Sequence, residues 1–243
     1  MAIASAACGA ASRESDTMES DTAVTNGALP LALPPTGTAM LVGDSGLSSA
    51  TPAFVAALHA AGWNVVPKAF SGVGLTTVPG VLKDWEQTVR QEHVDLTIVA
   101  IGVWDRHWLD AHGDAAYSRL IDGAIAALTA VGGKVLWLSL LPGDRFGNRA
   151  AFDPMFRELP RRYPGTVAYV DIEPALRGPH GGYPRVAGPL VLRGRDGWHL
   201  CQDGSAAVAH MALRSIGLDR GDWDRGTWRL SPSYDIDGPA CRR

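Results

Sequence analysis

The segment VDLTIVAIG, residues 94–102, decides the fold class of this chain. Its apolar residues do not alternate with polar ones, which is typical of a strand inside a parallel sheet, where helices cover both faces. Four further apolar segments read as strands: 39–43 (AMLVG), 63–70 (WNVVPKAF), 133–142 (GKVLWLSLLP) and 166–172 (TVAYVDI). Segments with helical spacing of apolar residues separate or follow them, at 51–62, 78–93, 114–133, around 153–163 and at 201–217. This alternation predicts an α/β fold, a three-layer α/β/α sandwich with a parallel, flavodoxin-like sheet of about five strands.

The chain of 243 residues divides into three parts by composition. Residues 1–36 are rich in Ala, Ser, Thr and acidic residues, then in proline, and predict a flexible leader or tether. Residues 37–220 form the predicted folded domain, and residues 221–243 a tail that wraps its surface. The net charge of −3 and the lack of a basic run argue against a nucleic-acid partner. No apolar segment approaches the roughly 20 residues that cross a bilayer, so no integral membrane span is predicted.

A serine follows the first predicted strand. In MLVGDSGLSS, Ser45 stands where ligands are expected, beyond the carboxyl end of the strand. Its hydroxyl would lie at the rim of the sheet, and its amide near a helix N-terminus, where positive partial charge favours an oxyanion. The alternative is a serine that only caps the helix. The G-x-S-x-G elbow of α/β-hydrolases is not present, because Leu47 occupies the position of its last glycine.

An acid and a histidine stand three residues apart before the last predicted helix. In RGRDGWHLC, Asp196 can hold one ring nitrogen of His199 and leave the other to act as a base, which is two-thirds of a hydrolytic triad. The alternative is a solvated loop histidine beside an aspartate that caps the helix.

A glycine turn follows the second strand. Gly72 and Gly74 in FSGVGLTT let the backbone approach a ligand and offer N–H groups to it. A dinucleotide-binding turn is an alternative interpretation. It is disfavoured because Thr77 stands at the third glycine position and because the following acid, Asp95, begins a strand rather than ending one.

A polar and aromatic loop follows the central strand. In IGVWDRHW, Gly102 allows the turn, and Trp104 and Asp105 come directly after it. The acids and histidines of this loop could be considered as metal ligands; they are Asp105, His107, Asp110 and His112. Their spacing matches no familiar ligand set, so no metal is predicted.

Together these motifs resemble the SGNH hydrolase, or GDSL esterase, superfamily. The order carries the likeness: GDS after strand one, a glycine turn after strand two, a Gly-led loop after strand three, and DGWH before the last helix. The resemblance runs from about Met40 to Ile216. It implies Ser45 as nucleophile, His199 as base and Asp196 as the acid that orients the base. It also implies an oxyanion amide from Gly72 or Gly74 beside that of Ser45.

One position departs from the family pattern Gly-x-Asn-Asp. The chain reads Gly102-Val103-Trp104-Asp105, with tryptophan where the family places an oxyanion-donating asparagine. The loss of one oxyanion donor typically costs about 10²–10³ in rate. This variation, with SGVGL and DGWHLC, is similar to the SGNH domains attached to bacterial membrane acyltransferases that modify cell-surface glycans. Trp104 and Asp105 are therefore expected in the oxyanion or substrate-binding region.

The expected activity is that of a serine esterase or deacylase acting on O-acyl esters, including acylated carbohydrate, through an acyl-serine. Two alternatives remain: an O-acyltransferase that moves an acyl group to a glycan hydroxyl, and a non-catalytic domain that binds glycans or partners. The expected ligand is a small-molecule or glycan ester, and neither hydrolysis nor transfer requires a metal or organic cofactor.

The cysteines bear on the compartment. A bridge between Cys201 and Cys241 would pin the tail beside the last helix, and two free thiols are the alternative. Small residues running into Cys8 are similar to the end of a bacterial export signal, but a basic segment and a long apolar segment are missing before them. An extracytoplasmic location, secreted or lipid-anchored, is favoured over the cytoplasm.

Overall fold

Five strands form one parallel sheet. A computed structural model describes residues 31–143, 149–221, 223 and 241. The strands are β1 (Thr38–Gly43), β2 (Asn64–Ala69), β3 (Leu96–Ala100), β4 (Lys134–Leu138) and β5 (Val167–Val170). They are ordered β2–β1–β3–β4–β5, and every neighbouring pair is parallel. All five predicted strands and the parallel sheet are therefore confirmed.

Helices cover both faces of the sheet. They are α1 (Ser45–Ala60), α2 (Val81–Glu92), α3 (Arg106–His112), α4 (Asp114–Leu128), α5 (Arg149–Arg157), α6 (Leu159–Arg162) and α7 (Gln202–Ser215). Because side chains alternate along a strand, Ala39 and Leu41 of β1 pack with α1 and α7, whereas Met40 and Val42 pack with α2 and α4. The predicted three-layer α/β/α sandwich is confirmed.

Several helix boundaries differ from the sequence prediction. Helix α1 begins at Ser45 rather than at residue 51, because the side chain of Asp44 caps it. The aromatic loop after β3 contains the short helix α3, and two helices, α5 and α6, replace the single one expected around 153–163. A two-stranded hairpin of β6 (Val186–Ala187) and β7 (Leu190–Val191) precedes α7 and was not predicted.

Both ends of the chain lie mostly outside the described residues. Of the predicted leader only 31–36 are described, and there Leu31 and Leu33 contact the core on the α1 and α7 face. Of the predicted tail only 221, 223 and 241 are described. Among the residues that the structure describes, 31–143 and 149–221 with 223 and 241, no helix combines the length and apolar content needed to cross a membrane.

The predicted disulfide between Cys201 and Cys241 is confirmed. The two Cα atoms lie 5.6 Å apart, and 40 positions separate the cysteines in sequence. By chain-entropy reasoning such a cross-link stabilises the fold by about 3–4 kcal/mol. A structural disulfide fits an oxidising compartment, and the extracytoplasmic location stays a prediction.

Candidate active site

The carboxyl ends of β1, β2 and β3 meet at one edge of the sheet and carry three of the predicted motifs. Gly43 at the end of β1 pairs with Ala69 of β2 and Ala100 of β3. Backbone hydrogen bonds continue past the strands, since the Phe70 amide donates to the Gly43 carbonyl at 3.0 Å and the Asp44 amide to the Ala100 carbonyl at 3.2 Å. The turn with Ser45 thus lies between the glycine loop after β2 and the tryptophan loop after β3.

Ser45 is the first residue of α1 and is partly exposed. The preceding residue, Asp44, is the N-cap, and its Oδ1 accepts a hydrogen bond from the Gly46 amide at 2.8 Å. The serine therefore stands on a helix N-terminus, where unpaired amides and the helix dipole favour negative charge. This is the local setting that the sequence predicted for a nucleophile and its oxyanion amide.

Asp44, the N-cap residue of α1, has a buried carboxyl with a raised pKa. Only 3% of the residue is exposed. Burial is the main reason that its pKa rises from 3.8 to about 7, and the negative charge of Asp105 adds to the rise, while the Gly46 amide opposes it. Near neutral pH this carboxyl, one residue before Ser45, is therefore present in both its protonated and its ionised form.

Asp44→Asn is expected to change the dependence of stability on pH. Between about pH 4 and pH 7 the folded chain holds the Asp44 proton more tightly than the unfolded chain does, so the free energy of unfolding falls as pH rises and levels off above about 7. Asparagine keeps an acceptor for the Gly46 amide and does not ionise. The variant should lose this fall and gain on the order of a few kcal/mol at pH 8.

Urea unfolding at pH 4.5, 6 and 8 measures this effect. Asp110→Asn, which removes an exposed carboxylate paired with Arg106 on α3, serves as the control and should keep the wild-type slope. An Asp44→Asn protein whose stability falls with pH as steeply as the wild type would contradict the assignment.

Asp105 ties the loop after β3 to the loop after β2. The residue is fully buried. Its Oδ2 accepts from the Leu75 amide at 2.9 Å and from the Tyr117 hydroxyl at 2.8 Å, and its Oδ1 accepts from the Thr76 amide at 2.9 Å and the Thr76 hydroxyl at 2.6 Å. Both carboxylate oxygens therefore face the glycine loop. Burial and then the charge of Asp105 raise the pKa of Tyr117, which keeps its phenol a donor.

The glycine loop needs both of its glycines. Gly74 packs against Asp105 so closely that a Cβ on it would lie 2.4 Å from Asp105 Oδ1. Gly72 has φ +83°, a conformation that side-chain-bearing residues rarely adopt, and its carbonyl accepts from the Thr77 hydroxyl at 2.8 Å. The loop is thus held in one shape, and Thr77, the residue that argued against a dinucleotide turn, takes part in holding it.

Trp104 stands in a 3₁₀ turn, Val103–Asp105, at the same edge. Its side chain is half exposed, with 49% of the residue accessible. The indole therefore leaves a large apolar surface accessible at this edge of the sheet.

Asp196 and His199 contact each other directly. Asp196 Oδ2 lies 2.6 Å from His199 Nδ1, and Asp196 Oδ1 accepts from the amides of Trp198 at 2.9 Å and of His199 at 3.1 Å. Partial burial alone would raise the pKa of Asp196, but the hydrogen bonds from the imidazole and from the two amides outweigh burial and lower it. Asp196 therefore stays ionised around neutral pH. It does not cap α7, whose N-cap residue is Cys201.

A buried serine joins the histidine loop to α1. Ser49 Oγ accepts from the amide of Leu200, the neighbour of His199, at 3.1 Å, and the Ser49 carbonyl accepts from the Ser205 hydroxyl at 3.0 Å. Ser45 precedes Ser49 by about one helical turn, roughly 6 Å along the axis. This contact therefore anchors His199 to the helix end that carries Ser45.

Sequence reasoning missed Ser49, and only weak signals pointed to it. It is one of several serines in GDSGLSS, and the residue that donates to its hydroxyl lies 151 positions later. Nothing in a local pattern distinguishes a serine that binds a distant amide from one that faces its own helix.

The residues considered for a dinucleotide-binding turn or a metal cluster make other contacts. Asp95 accepts from the Thr38 amide at 2.9 Å, at the amino end of β1 and so away from Gly72. Asp110 pairs with Arg106, and His112 stacks on Trp108 with ring centroids 4.1 Å apart. Over residues 31–143 and 149–221, no group of three His, Cys, Asp or Glu side chains is arranged to hold a metal ion.

One protein family and several solved structures are similar to this chain. The model of a family described as "Protein of unknown function (DUF459)" matches residues 38–215. No curated protein matches this sequence. Among solved structures, the chain is similar to a family 3 carbohydrate esterase of Clostridium thermocellum, with 15% identity and a TM-score of 0.53 over 74% of this chain and 94% of the esterase.

Two lipases show the same degree of likeness. A lipase/acylhydrolase from Enterococcus faecalis is 16% identical, with a TM-score of 0.54 over 77% of this chain and 99% of the lipase. A GDSL-like lipase from Bacteroides thetaiotaomicron is 15% identical, with a TM-score of 0.53 over 77% of this chain and 92% of that one. At these identities the likeness establishes the fold, and it confirms the resemblance to the SGNH and GDSL superfamily at that level.

Proposed function

Because this chain belongs to the family described as "Protein of unknown function (DUF459)" and has the fold of the SGNH hydrolases, we propose that it is a serine acyl hydrolase. The proposal rests above all on one observation, the 2.6 Å contact of Asp196 Oδ2 with His199 Nδ1. Ser49 links the loop of that pair to the helix that starts at Ser45. A carboxylate, an imidazole and a serine at a helix N-terminus are the groups that acyl transfer requires.

In the first step the Ser45 hydroxyl attacks the ester carbonyl. Since Nδ1 of His199 is bound to Asp196, the other ring nitrogen, Nε2, takes the serine proton as the Oγ–C bond forms. The resulting imidazolium is stabilised by the ionised Asp196. Collapse of the tetrahedral intermediate breaks the bond to the leaving alcohol, which receives the same proton, and leaves an acyl-serine.

The negative oxygen of the tetrahedral intermediate needs donors that are in place beforehand. The amide of Ser45, at the start of α1, and the amide of Gly72, in the loop that Asp105 holds, are the proposed donors, and Gly74 is the alternative to Gly72. Four hydrogen bonds to a buried carboxylate keep this region from reorganising. Preorganised donors of this kind usually contribute the largest share of catalysis in acyl transfer.

Release of the acyl group decides between hydrolysis and transfer. When water donates its proton to His199 and attacks the acyl-serine, a free acid leaves and Ser45 is restored. When a sugar hydroxyl attacks in the same way, the product is a new ester. The exposed indole of Trp104 is the observation that favours a carbohydrate on the alcohol side, because pyranose rings stack on aromatic faces.

Two reagents test the proposal together. A short-chain aryl ester reports turnover, and a fluorophosphonate reports an activated serine. We expect ester hydrolysis and one covalent adduct, located on Ser45 by peptide mass analysis. Adding a glucosamine or muropeptide acceptor separates the outcomes, since transfer yields an acylated sugar. A folded protein that neither turns over the ester nor reacts with the fluorophosphonate would leave the non-catalytic binding domain as the better interpretation.

Trp104→Ala is expected to change substrate preference more than the reactivity of Ser45. The resemblance to the SGNH pattern implies an oxyanion-donating asparagine at this position, yet the tryptophan side chain found there is half exposed. We expect kcat/KM for an acetylated sugar to fall about tenfold or more, while kcat/KM for a small aryl ester and the rate of fluorophosphonate labelling change by less than about threefold. Trp104→Phe, which keeps an aromatic face but no N–H, is the matched control. Collapse of labelling in both folded variants would instead assign the indole N–H to the oxyanion.

A further inference from the structure

One arginine lies fully buried inside the loop that carries Asp196 and His199. Arg193 has no exposed surface, and its backbone forms an antiparallel bridge with Leu200. The amide of Gly194 donates to the His199 carbonyl at 2.9 Å, and the amide of Cys201 donates to the Leu192 carbonyl at 3.0 Å. The segment 192–201 is therefore a closed hairpin, and the Arg193 side chain turns back into it.

The guanidinium binds the carbonyl side of two particular peptide groups. Arg193 Nη1 donates to the Trp198 carbonyl at 3.2 Å and, more weakly, to the Gly197 carbonyl at 3.4 Å. The N–H groups of the same two peptide units belong to Trp198 and His199, and both donate to Asp196 Oδ1. Each unit is thus polarised from both ends, by a cation at its oxygen and a carboxylate at its N–H.

This arrangement connects the buried cation to the acid of the proposed triad. Hydrogen bonds in series strengthen one another, and they do so more in a low-dielectric interior than in water. The chain of contacts runs from Arg193 through the two peptide units to Asp196 Oδ1, while Asp196 Oδ2 holds His199 Nδ1. The orientation of the carboxylate, and with it that of the imidazole, depends on these two peptide planes.

A neighbouring aromatic ring helps to hold the guanidinium in place. The Arg193 guanidinium carbon lies 5.9 Å from the centre of the Tyr183 ring, and the Tyr183 hydroxyl donates to Glu173 Oε1 at 2.8 Å. Burying a guanidinium costs free energy unless acceptors and charges compensate for it. A fully buried guanidinium whose Nη1 contacts these two carbonyls therefore points to a role beyond packing.

We propose that Arg193 is a positioning residue that orients Asp196, and through it His199, by polarising the peptide groups 197–198 and 198–199. The inference rests on the proposed function for its effect on turnover. Its structural part, the state of the Asp196–His199 hydrogen bond, can be measured whether or not the protein turns over an ester.

The test compares three variants. Arg193→Met keeps length and apolar bulk but removes every donor and the charge. Arg193→Lys keeps the cation but replaces the planar guanidinium, whose Nη1 contacts both carbonyls, with a freely rotating ammonium that fixes their orientation less firmly. Arg162→Met is the control. Arg162, like Arg193, lies against a tyrosine ring, with its guanidinium carbon 5.5 Å from the ring centre of Tyr163, but it pairs with Asp122 and stands before β5, at the opposite edge of the sheet.

The first measurement is spectroscopic. An imidazole N–H held at 2.6 Å from a carboxylate resonates far downfield in a proton spectrum, and its absence from the His199→Ala spectrum assigns it. We expect Arg193→Met to lose this resonance or move it upfield, Arg193→Lys to show an intermediate position, and Arg162→Met to retain it.

The second measurement separates positioning from binding. We expect kcat for the aryl ester to fall about 10- to 100-fold in Arg193→Met and about three- to tenfold in Arg193→Lys, with KM within about twofold of wild type. Should Arg193→Met fail to fold, the lysine variant alone decides the matter by the same two measurements. A folded Arg193 variant with wild-type kcat and an unmoved resonance would overturn the proposal, and so would equal losses in Arg162→Met. Absence of turnover in the wild type, with the resonance still dependent on Arg193, would overturn the esterase function and leave the positioning role standing.

Discussion

Ser45→Ala is expected to lower kcat/KM for an aryl ester by at least a thousandfold while leaving the fold intact. The side chain is partly exposed at the first position of α1 and is not one of the buried residues of either core cluster, so its hydroxyl contributes little to packing. Removing a nucleophile leaves only the oxyanion donors and substrate binding, which is why losses of up to about 10⁶ are seen for such groups.

The measurement is ester turnover together with fluorophosphonate labelling, with circular dichroism as the check on folding. Ser215→Ala, at the end of α7 that is remote from His199, is the control and should behave as wild type. A Ser45→Ala protein that retains a tenth of the activity, or that still takes up the label, would remove Ser45 from the nucleophile role.

His199→Ala is expected to cost several orders of magnitude in kcat, and Asp196→Asn somewhat less. The substitution removes the imidazole, which is the proposed acceptor of the serine proton. The asparagine Oδ1 can still accept from the Trp198 and His199 amides, as Asp196 Oδ1 does, but its NH₂ group cannot accept a hydrogen bond from Nδ1–H of His199. The imidazole would then adopt the wrong tautomer, a loss of about 10²–10⁴.

The chain offers a matched control for this pair. His210 Nδ1 lies 3.0 Å from Asp219, on the later part of α7, so it repeats the same acid–imidazole contact. His210→Ala should leave kcat within about twofold of wild type while lowering thermal stability. If it reduced turnover as much as His199→Ala, loss of a generic His–Asp pair would explain the effect. A larger loss for Asp196→Asn than for His199→Ala would contradict the order of roles.

Local sequence patterns were sufficient to predict the three layers of helices and sheet in this protein. Whether a strand is buried on both faces, as residues 94–102 are, can be read from its own residues, because burial follows a period of two along a strand and about 3.6 along a helix. That the motifs after the first three strands share one edge of the sheet follows from the same reading, since parallel strands place their carboxyl ends together. The positions of Ser45, Gly72, Gly74 and Trp104 at this edge were predicted on that basis, whereas the Asp196–His199 pair was recognised from its spacing before the last helix and from the resemblance to the SGNH pattern.

Contacts across the chain were beyond the reach of those patterns. The sequence placed Asp105 among the residues expected near the oxyanion or the substrate. What the sequence did not show is that its carboxylate accepts hydrogen bonds from amides 29 and 30 positions earlier, because the register of β2, β1 and β3 aligns the two loops. Helix α3 was not predicted because its seven residues make only about two helical turns, too few for a repeating apolar pattern to be recognised.

The sequence by itself determined the fold class, the edge at which the candidate site forms and the residue types present there, because hydrophobic periodicity and turn residues are local properties. Only the tertiary structure decided which of those residues touch. It placed the Arg193 guanidinium against the Trp198 carbonyl and the Ser49 hydroxyl against the Leu200 amide. It also placed Asp105 close enough to Asp44 for the charge of Asp105 to raise the pKa of Asp44. Hydrogen bonds and charges act over a few ångströms of space, and spacing along the chain does not specify those distances.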